Sequence, residues 1–119
     1  MNIFEFYKHS GIDLKEHNGD QFYAVRQNDA LVLVDLLNQN HVIVHSVEVL
    51  KKDETGHYTY ITSEPMNWDF DQENIPEEER YDVIKEKIET IAEKENIAFL
   101  FSDEQSYKAW KMNHANFII

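Results

Sequence analysis

The sequence predicts a single α+β domain over residues 1–119, with a mostly antiparallel sheet of four to five strands and two to three helices. Residues 42–50 and 97–101 are apolar runs of the kind that form buried strands. Between them, residues 77–96 repeat apolar side chains at steps of three and four, which predicts an amphipathic helix. The expected element order is α-β-β-β-β-α-β-α, and no linker-like segment divides the chain.

The first part of the chain is predicted to form one helix followed by strands. Residues 2–9 carry an apolar stripe at helical spacing, and Gly11 lies just past its end. Residues 21–26 are predicted to form a strand after the turn signal at residues 18–20. Residues 30–37 are ambiguous, because periodicity does not separate a short buried strand from a short buried helix. We favour a strand there.

The middle of the chain is predicted to be a β-hairpin. Residues 42–50 are apolar on both faces, so we expect them to form a central strand. Residues 53–56 are a turn signal, in which Gly56 suits a position of positive φ. Residues 57–63 then alternate as a returning strand, and Pro65 ends it because proline cannot donate to the ladder.

The last part is predicted to contain two helices and one strand. Residues 64–76 form an acidic connection, and Pro76 suits the first turn of the long helix. Residues 97–101 are expected to return to the interior of the sheet. The following residues are expected to open the last helix through a capping box of Ser102 and Gln105. Four apolar residues mark the buried face of the long helix: Tyr81, Ile84, Ile88 and Ile91.

The negative charge of the chain is concentrated in one quarter of it. The formal net charge is −12, and residues 64–95 hold twelve acids against four bases, a net of −8. A local excess of one sign repels itself and favours a partner of the opposite sign. The same charge argues against nucleic acid or an anionic membrane as a direct ligand, because phosphate binding needs clustered Lys and Arg. The N-terminus lacks a signal peptide and no apolar run could span a bilayer, so we expect a cytoplasmic protein.

Several classes of chemistry find no support in the sequence. There is no cysteine, and three glycines are too few for the phosphate loops of nucleotide-binding proteins. The acids Asp69, Asp71 and Glu73 resemble the start of a calcium loop, but the central glycine is missing and the twelfth position is Arg80. His41 and His45 would lie two pleats apart on a strand, too far to share one metal easily. We therefore expect no catalytic residue, metal or cofactor.

The segment Trp68-Asp69-Phe70-Asp71 has two interpretations. In the first, both aromatic residues pack on the core and the acids face water. In the second, an exposed aromatic anchor lies within a negative rim, an arrangement that suits contact with a basic protein surface. Because Trp68 and Phe70 are two residues apart on one strand face, at least one of them is expected to be core.

Size, acidity, the missing cysteine, the α+β order and the lack of a catalytic motif together resemble a small bacterial immunity protein. The resemblance implies a protein that binds its own secreted or contact-delivered toxin, often a basic nuclease, and blocks it inside the producing cell. It rests on overall character and carries over no individual residue. The contact residues expected from charge and aromatic character are Trp68, Asp69, Asp71, Glu73, Glu77, Glu78, Glu79 and Asp82.

Two other functions remain open at this stage. The first is a DNA-mimic or regulatory adaptor that occupies the nucleic-acid site of an enzyme. The second is a small metal-dependent hydrolase that uses carboxylates with His45 or His57. The immunity hypothesis predicts one cognate toxin as the partner, whereas the DNA mimic predicts competition with DNA for several partners.

Overall fold

The computed structural model describes residues 2–61, 66–91 and 95–114 and has an α+β architecture. Its helices are α1 (Ile3–Ser10), α2 (Gln27–Gln39), α3 (Glu77–Thr90) and α4 (Glu104–Asn113), with a 3₁₀ turn at Leu14–Glu16. Its strands are β1 (Ile12–Asp13), β2 (Tyr23–Arg26), β3 (Val44–Lys52), β4 (Tyr58–Tyr60), β5 (Asn67–Asp69) and β6 (Ile97–Asp103). The predicted class is confirmed.

All the strands pair antiparallel, in the order β1-β2-β6-β3-β4. β5 adds to the same edge of β3 as β4, opposite residues 46–48. The central strand predicted at residues 42–50 is confirmed with shifted bounds, since β3 begins at Val44, ends at Lys52 and is paired along both of its edges. The strand predicted at residues 97–101 is confirmed as well, because β6 lies between β2 and β3. The hairpin turn has Gly56 at φ 85°, a conformation that suits glycine.

The strand favoured for residues 30–37 is wrong, because these residues form the middle of α2. The buried residues of this helix are spaced at i, i+3, i+4 and i+7, which is the stripe of a helix packed on one side. Val32, which a buried strand would cover, is 55% exposed. The residues of the buried stripe are Ala30, Leu33, Val34 and Leu37.

Three smaller expectations also fail. β5 was not expected within the acidic connection at residues 64–76. The long helix ends at Thr90 rather than near residue 96. Ser102 is the last but one residue of β6, and the side chain that caps α4 is that of Asp103, which accepts hydrogen bonds from two backbone N–H groups of the first turn. The returning strand predicted over residues 57–63 is seen at Tyr58–Tyr60, and Pro65 lies outside the described residues.

The sheet separates two apolar clusters of different size. All four helices bury residues in the larger cluster, against strand residues such as Phe99 and Phe101. The smaller cluster lies on the opposite face, where Ala98 and Leu100 meet Leu14 of the 3₁₀ turn. Alternate residues of β6 therefore face opposite sides, and each side is apolar. No helix in the described part of the chain is both long and apolar enough to cross a membrane.

Candidate functional site

The predicted acidic contact residues lie along one stretch of surface between the end of β5 and the second turn of α3. We call the seven exposed acids of this stretch the acidic surface. Its rigid part is the start of α3, where glutamates near the positive end of the helix dipole also stabilise the helix. The members of the acidic surface are Asp69, Asp71, Glu73, Glu77, Glu78, Glu79 and Asp82.

The cations nearest in sequence to this surface are engaged with other groups. Lys85 pairs with Asp35 of α2 at 2.6 Å, and Lys87 places its ammonium 5.6 Å from the centre of the Trp68 ring. Arg80 is only 6% exposed and donates to the backbone carbonyls of Val44 and Ile75. Among the described residues, Asp71 is the one member of the acidic surface that forms an ion pair.

Asp71 joins the acidic surface to the sheet. Its two carboxylate oxygens lie 2.7 Å from Arg80 Nη1 and 2.8 Å from His45 Nδ1. Hydrogen bonds from Arg80 and then His45 lower the pKa of the Asp71 carboxyl. The Arg80 guanidinium thus partly neutralises the charge of Asp71. We therefore assign Asp71 the role of positioning Arg80 and His45, in preference to that of a contact with a partner.

Trp68 does not offer the exposed anchor expected for it. Its side chain is 6% exposed and lies 6.2 Å from the Phe99 ring, centre to centre. Phe70 is fully buried. Both aromatic residues of the segment are therefore core, as in the first of the two interpretations, and we leave Trp68 out of the proposed contact residues.

A pocket opens on the face of the sheet that carries the smaller apolar cluster, and α4 contributes Ser106 and Tyr107 to its wall. Its volume is about 380 Å³, within the range of small-molecule sites. Strand residues Glu48 and Leu100 contribute to its lining, and the rings of Phe22 and Tyr107 lie 5.7 Å apart beside it. The remaining lining residues are His45, Tyr60, Phe101, Ser102, Asp103 and Ser106.

The pocket carries acids in partly or largely buried positions. Burial, with a further contribution from the charge of Asp20, raises the pKa of Glu48. Burial raises the pKa of Asp103 to about 6, against the lowering effect of hydrogen bonds from the N–H groups of Gln105 and Ser106. The Tyr60 hydroxyl donates to Asp20, so burial and this bond raise the pKa of Tyr60 well above its ordinary value.

The described residues do not assemble the parts of a familiar catalytic centre. His45 is oriented by Asp71 as a general base would be, but no serine hydroxyl in the described structure hydrogen-bonds to its ring. The described residues contain no group of three His, Asp or Glu side chains that could hold a metal ion. His57 lies elsewhere, in the hairpin turn, where Thr55 Oγ1 approaches its ring.

Sequence reasoning missed Arg80 and the pocket. Arg80 does stand at a helical spacing from Ile84 and Ile88, on the buried stripe of α3, which is a signal for a buried role. No comparable signal marks the pocket, because its residues come from the loop before β2, from three strands and from α4. Comparison of the chain with protein-family models, curated proteins and solved structures found no match.

Proposed function

We propose that this protein is a cytoplasmic immunity protein that binds and neutralises a basic toxin domain, and that the acidic surface carries the contact. The proposal rests on the lack of ion pairs at most of these acids within the described residues. Six exposed acids, all of the acidic surface except Asp71, form no ion pair within the described residues. Such charges favour encounter with a cationic partner and become less effective as salt rises.

The placement of these acids suits a rigid contact. Glu77, Glu78 and Glu79 lie on the first turn of a helix whose other face packs in the core. The preceding connection is tied to the sheet through Asp71, Arg80 and the Val44 carbonyl. A surface held in this way loses little conformational entropy on binding, which helps affinity.

The test is association with a cognate toxin, which the proposal expects to be the product of a neighbouring gene. The variant Glu73→Lys/Glu77→Lys/Asp82→Lys should slow association by about tenfold or more at roughly 50 mM NaCl. At about 500 mM NaCl, where screening is strong, association should be slowed by only about threefold or less. Stopped-flow mixing measures the rate, and rescue of growth from the toxin measures the function.

A matched control changes the same net charge elsewhere. Glu16, Glu54 and Glu86 are exposed and lie outside the acidic surface. Their replacement by lysine should slow association much less, because it alters the overall charge without altering the local field. Equal slowing in both triple variants, or none in either, would remove the assigned role from the acidic surface.

A DNA mimic would use the same surface, so a second measurement separates the two functions. An immunity protein should bind one toxin and leave unrelated DNA-binding proteins free. Competition with duplex DNA for several unrelated enzymes would favour the DNA mimic instead.

A further inference from the structure

The pocket contains an acidic side chain that has no counter-ion among the described residues. Glu48 is half-buried on β3, and within the described residues its carboxylate forms neither a hydrogen bond nor an ion pair. Asp20 lies near enough for its charge to raise the pKa of Glu48. Two neighbouring carboxylates that are partly shielded from water repel each other, and a bound cation relieves this repulsion.

A second acid, Asp103, also lines the pocket. Asp103 is 9% exposed, and its Oδ1 atom accepts from the N–H groups of Gln105 and Ser106. Burial raises the pKa of the Asp103 carboxyl, whereas the Tyr7 hydroxyl lies close enough for a hydrogen bond from it to lower this pKa. When ionised, the Asp103 carboxylate adds to the negative potential of the pocket.

The remaining lining suits an organic cation better than a metal ion. The described residues hold no group of three ligands for a metal. Leu100, Phe22 and Tyr107 supply apolar and aromatic surface, which accommodates a hydrocarbon stem and favours ammonium or guanidinium groups over ring faces. Lys111, which does not line the pocket, places its ammonium 5.7 Å from the centre of the Tyr107 ring, so this ring already interacts with one cation.

An anion is disfavoured by the same lining. Of the residues that line the pocket, His45 is the only basic one, and its Nδ1 atom faces Asp71. Two serine hydroxyls, Ser102 and Ser106, can accept hydrogen bonds from a donor-rich head group. Guanidinium and ammonium groups carry only donors, which matches this set of acceptors.

We propose that this pocket binds the guanidinium or ammonium end of an organic cation, with Glu48 as its counter-ion and Phe22 and Tyr107 against its stem. The ligand is either a free small cation or an arginine or lysine side chain presented by a protein. The proposal does not depend on the proposed immunity function, because no residue of the acidic surface lines the pocket.

The test uses agmatine and N-acetylarginine amide as probes, with the neutral isostere N-acetylcitrulline amide as their control. Titrations are followed by amide chemical shifts of the labelled protein. Both cations should shift the resonances of the lining residues, and the citrulline compound should bind at least about tenfold more weakly. Tighter binding of agmatine indicates a free small cation, and equal or tighter binding of the arginine amide indicates a side chain.

Variants establish where the probes bind. Glu48→Gln should weaken the binding of the more tightly bound cation by about tenfold, because it removes the counter-ion and keeps the shape of the side chain. Glu86→Gln makes the same charge change on α3, at a residue that does not line the pocket, and should alter the affinity by less than about twofold. Thermal unfolding of each variant confirms the fold. Phe22→Leu independently tests the contribution of the aromatic wall.

Three results would overturn the proposal. The first is binding of the citrulline compound as tightly as the arginine amide. The second is equal weakening by the changes at Glu48 and Glu86, which would indicate attraction to the overall charge alone. The third is a set of shifted resonances that lies outside the pocket lining.

Discussion

Arg80 illustrates how the environment of one residue alters the meaning of a charge pattern. In the sequence it is one of four bases that accompany twelve acids over residues 64–95, and it suggests partial neutralisation of those acids. In the structure its guanidinium is buried and serves two backbone carbonyls and Asp71. Arg80 therefore forms no ion pair with the other exposed acids of the acidic surface within the described residues, which strengthens the case for a basic partner. Burial of one side chain decides this, and composition does not record burial.

Asp103 provides a prediction at the same scale. Its pKa of about 6 in the folded protein lies above the ordinary value of 3.8. A raised carboxyl pKa contributes stability that is complete below the unfolded value and is lost as the pH rises through the folded one. Relative to Asp103→Asn, the wild-type protein should therefore lose on the order of 2 kcal/mol of unfolding free energy between about pH 4 and pH 7.

Urea denaturation of both proteins across this pH range measures the difference directly. Asn retains an oxygen that can cap α4, so the comparison isolates the titration of the carboxyl. Because other groups titrate alike in both proteins, their contributions cancel. A difference in stability that does not change with pH would show that Asp103 ionises without penalty.

At the level of elements, the sequence indicates type well where periodicity runs long and poorly where it is short. A strand at the position of β3 and a helix at the position of α3 were both expected, with different end points. α2 was assigned wrongly because its apolar run is also compatible with a strand, and only the packing of its stripe against the larger core selects the helix. β5 has three residues and gains its identity from pairing with β3, a partner that is distant in sequence.

The docking of α4 yields a prediction about how elements are joined. Asp13, directly before the 3₁₀ turn, accepts from Trp110 Nε1 at 2.8 Å, and His114 Nε2 lies 2.8 Å from its other oxygen. Burial opposes ionisation of Asp13, but hydrogen bonds from Trp110, the Lys15 N–H and His114 outweigh it and lower its pKa. Asp13→Ala should reduce the unfolding free energy by about 2 kcal/mol, because it leaves the Trp110 donor unsatisfied.

Urea denaturation followed by tryptophan fluorescence measures the stability of each variant. Asp82→Ala removes an exposed acid and should change stability by less than about 0.5 kcal/mol. A loss of similar size in both variants would indicate a general effect of charge, and not the anchoring of α4 to the start of the sheet.

At the scale of the whole molecule, the net charge of −12 opposes folding through self-repulsion. Raising NaCl from about 20 mM to about 300 mM should increase the unfolding free energy by on the order of 1 kcal/mol, because screening acts mainly on unpaired surface charge. Urea denaturation at each salt concentration measures the effect. The variant Glu73→Gln/Glu77→Gln/Asp82→Asn should respond less than the wild-type protein. Stability that falls with salt would mean that the surface ion pairs outweigh the repulsion.

The sequence by itself determined the α+β class, the two interior strands, the long helix and the concentration of acid, because each depends on local order along the chain. Only the tertiary structure decided that residues 30–37 are helical, that Trp68 is core and that Arg80 is buried. It alone brought Glu48, Tyr107 and Asp103 around one pocket. These outcomes depend on contacts between segments far apart in sequence, and periodicity within a segment carries no record of which partner will cover it.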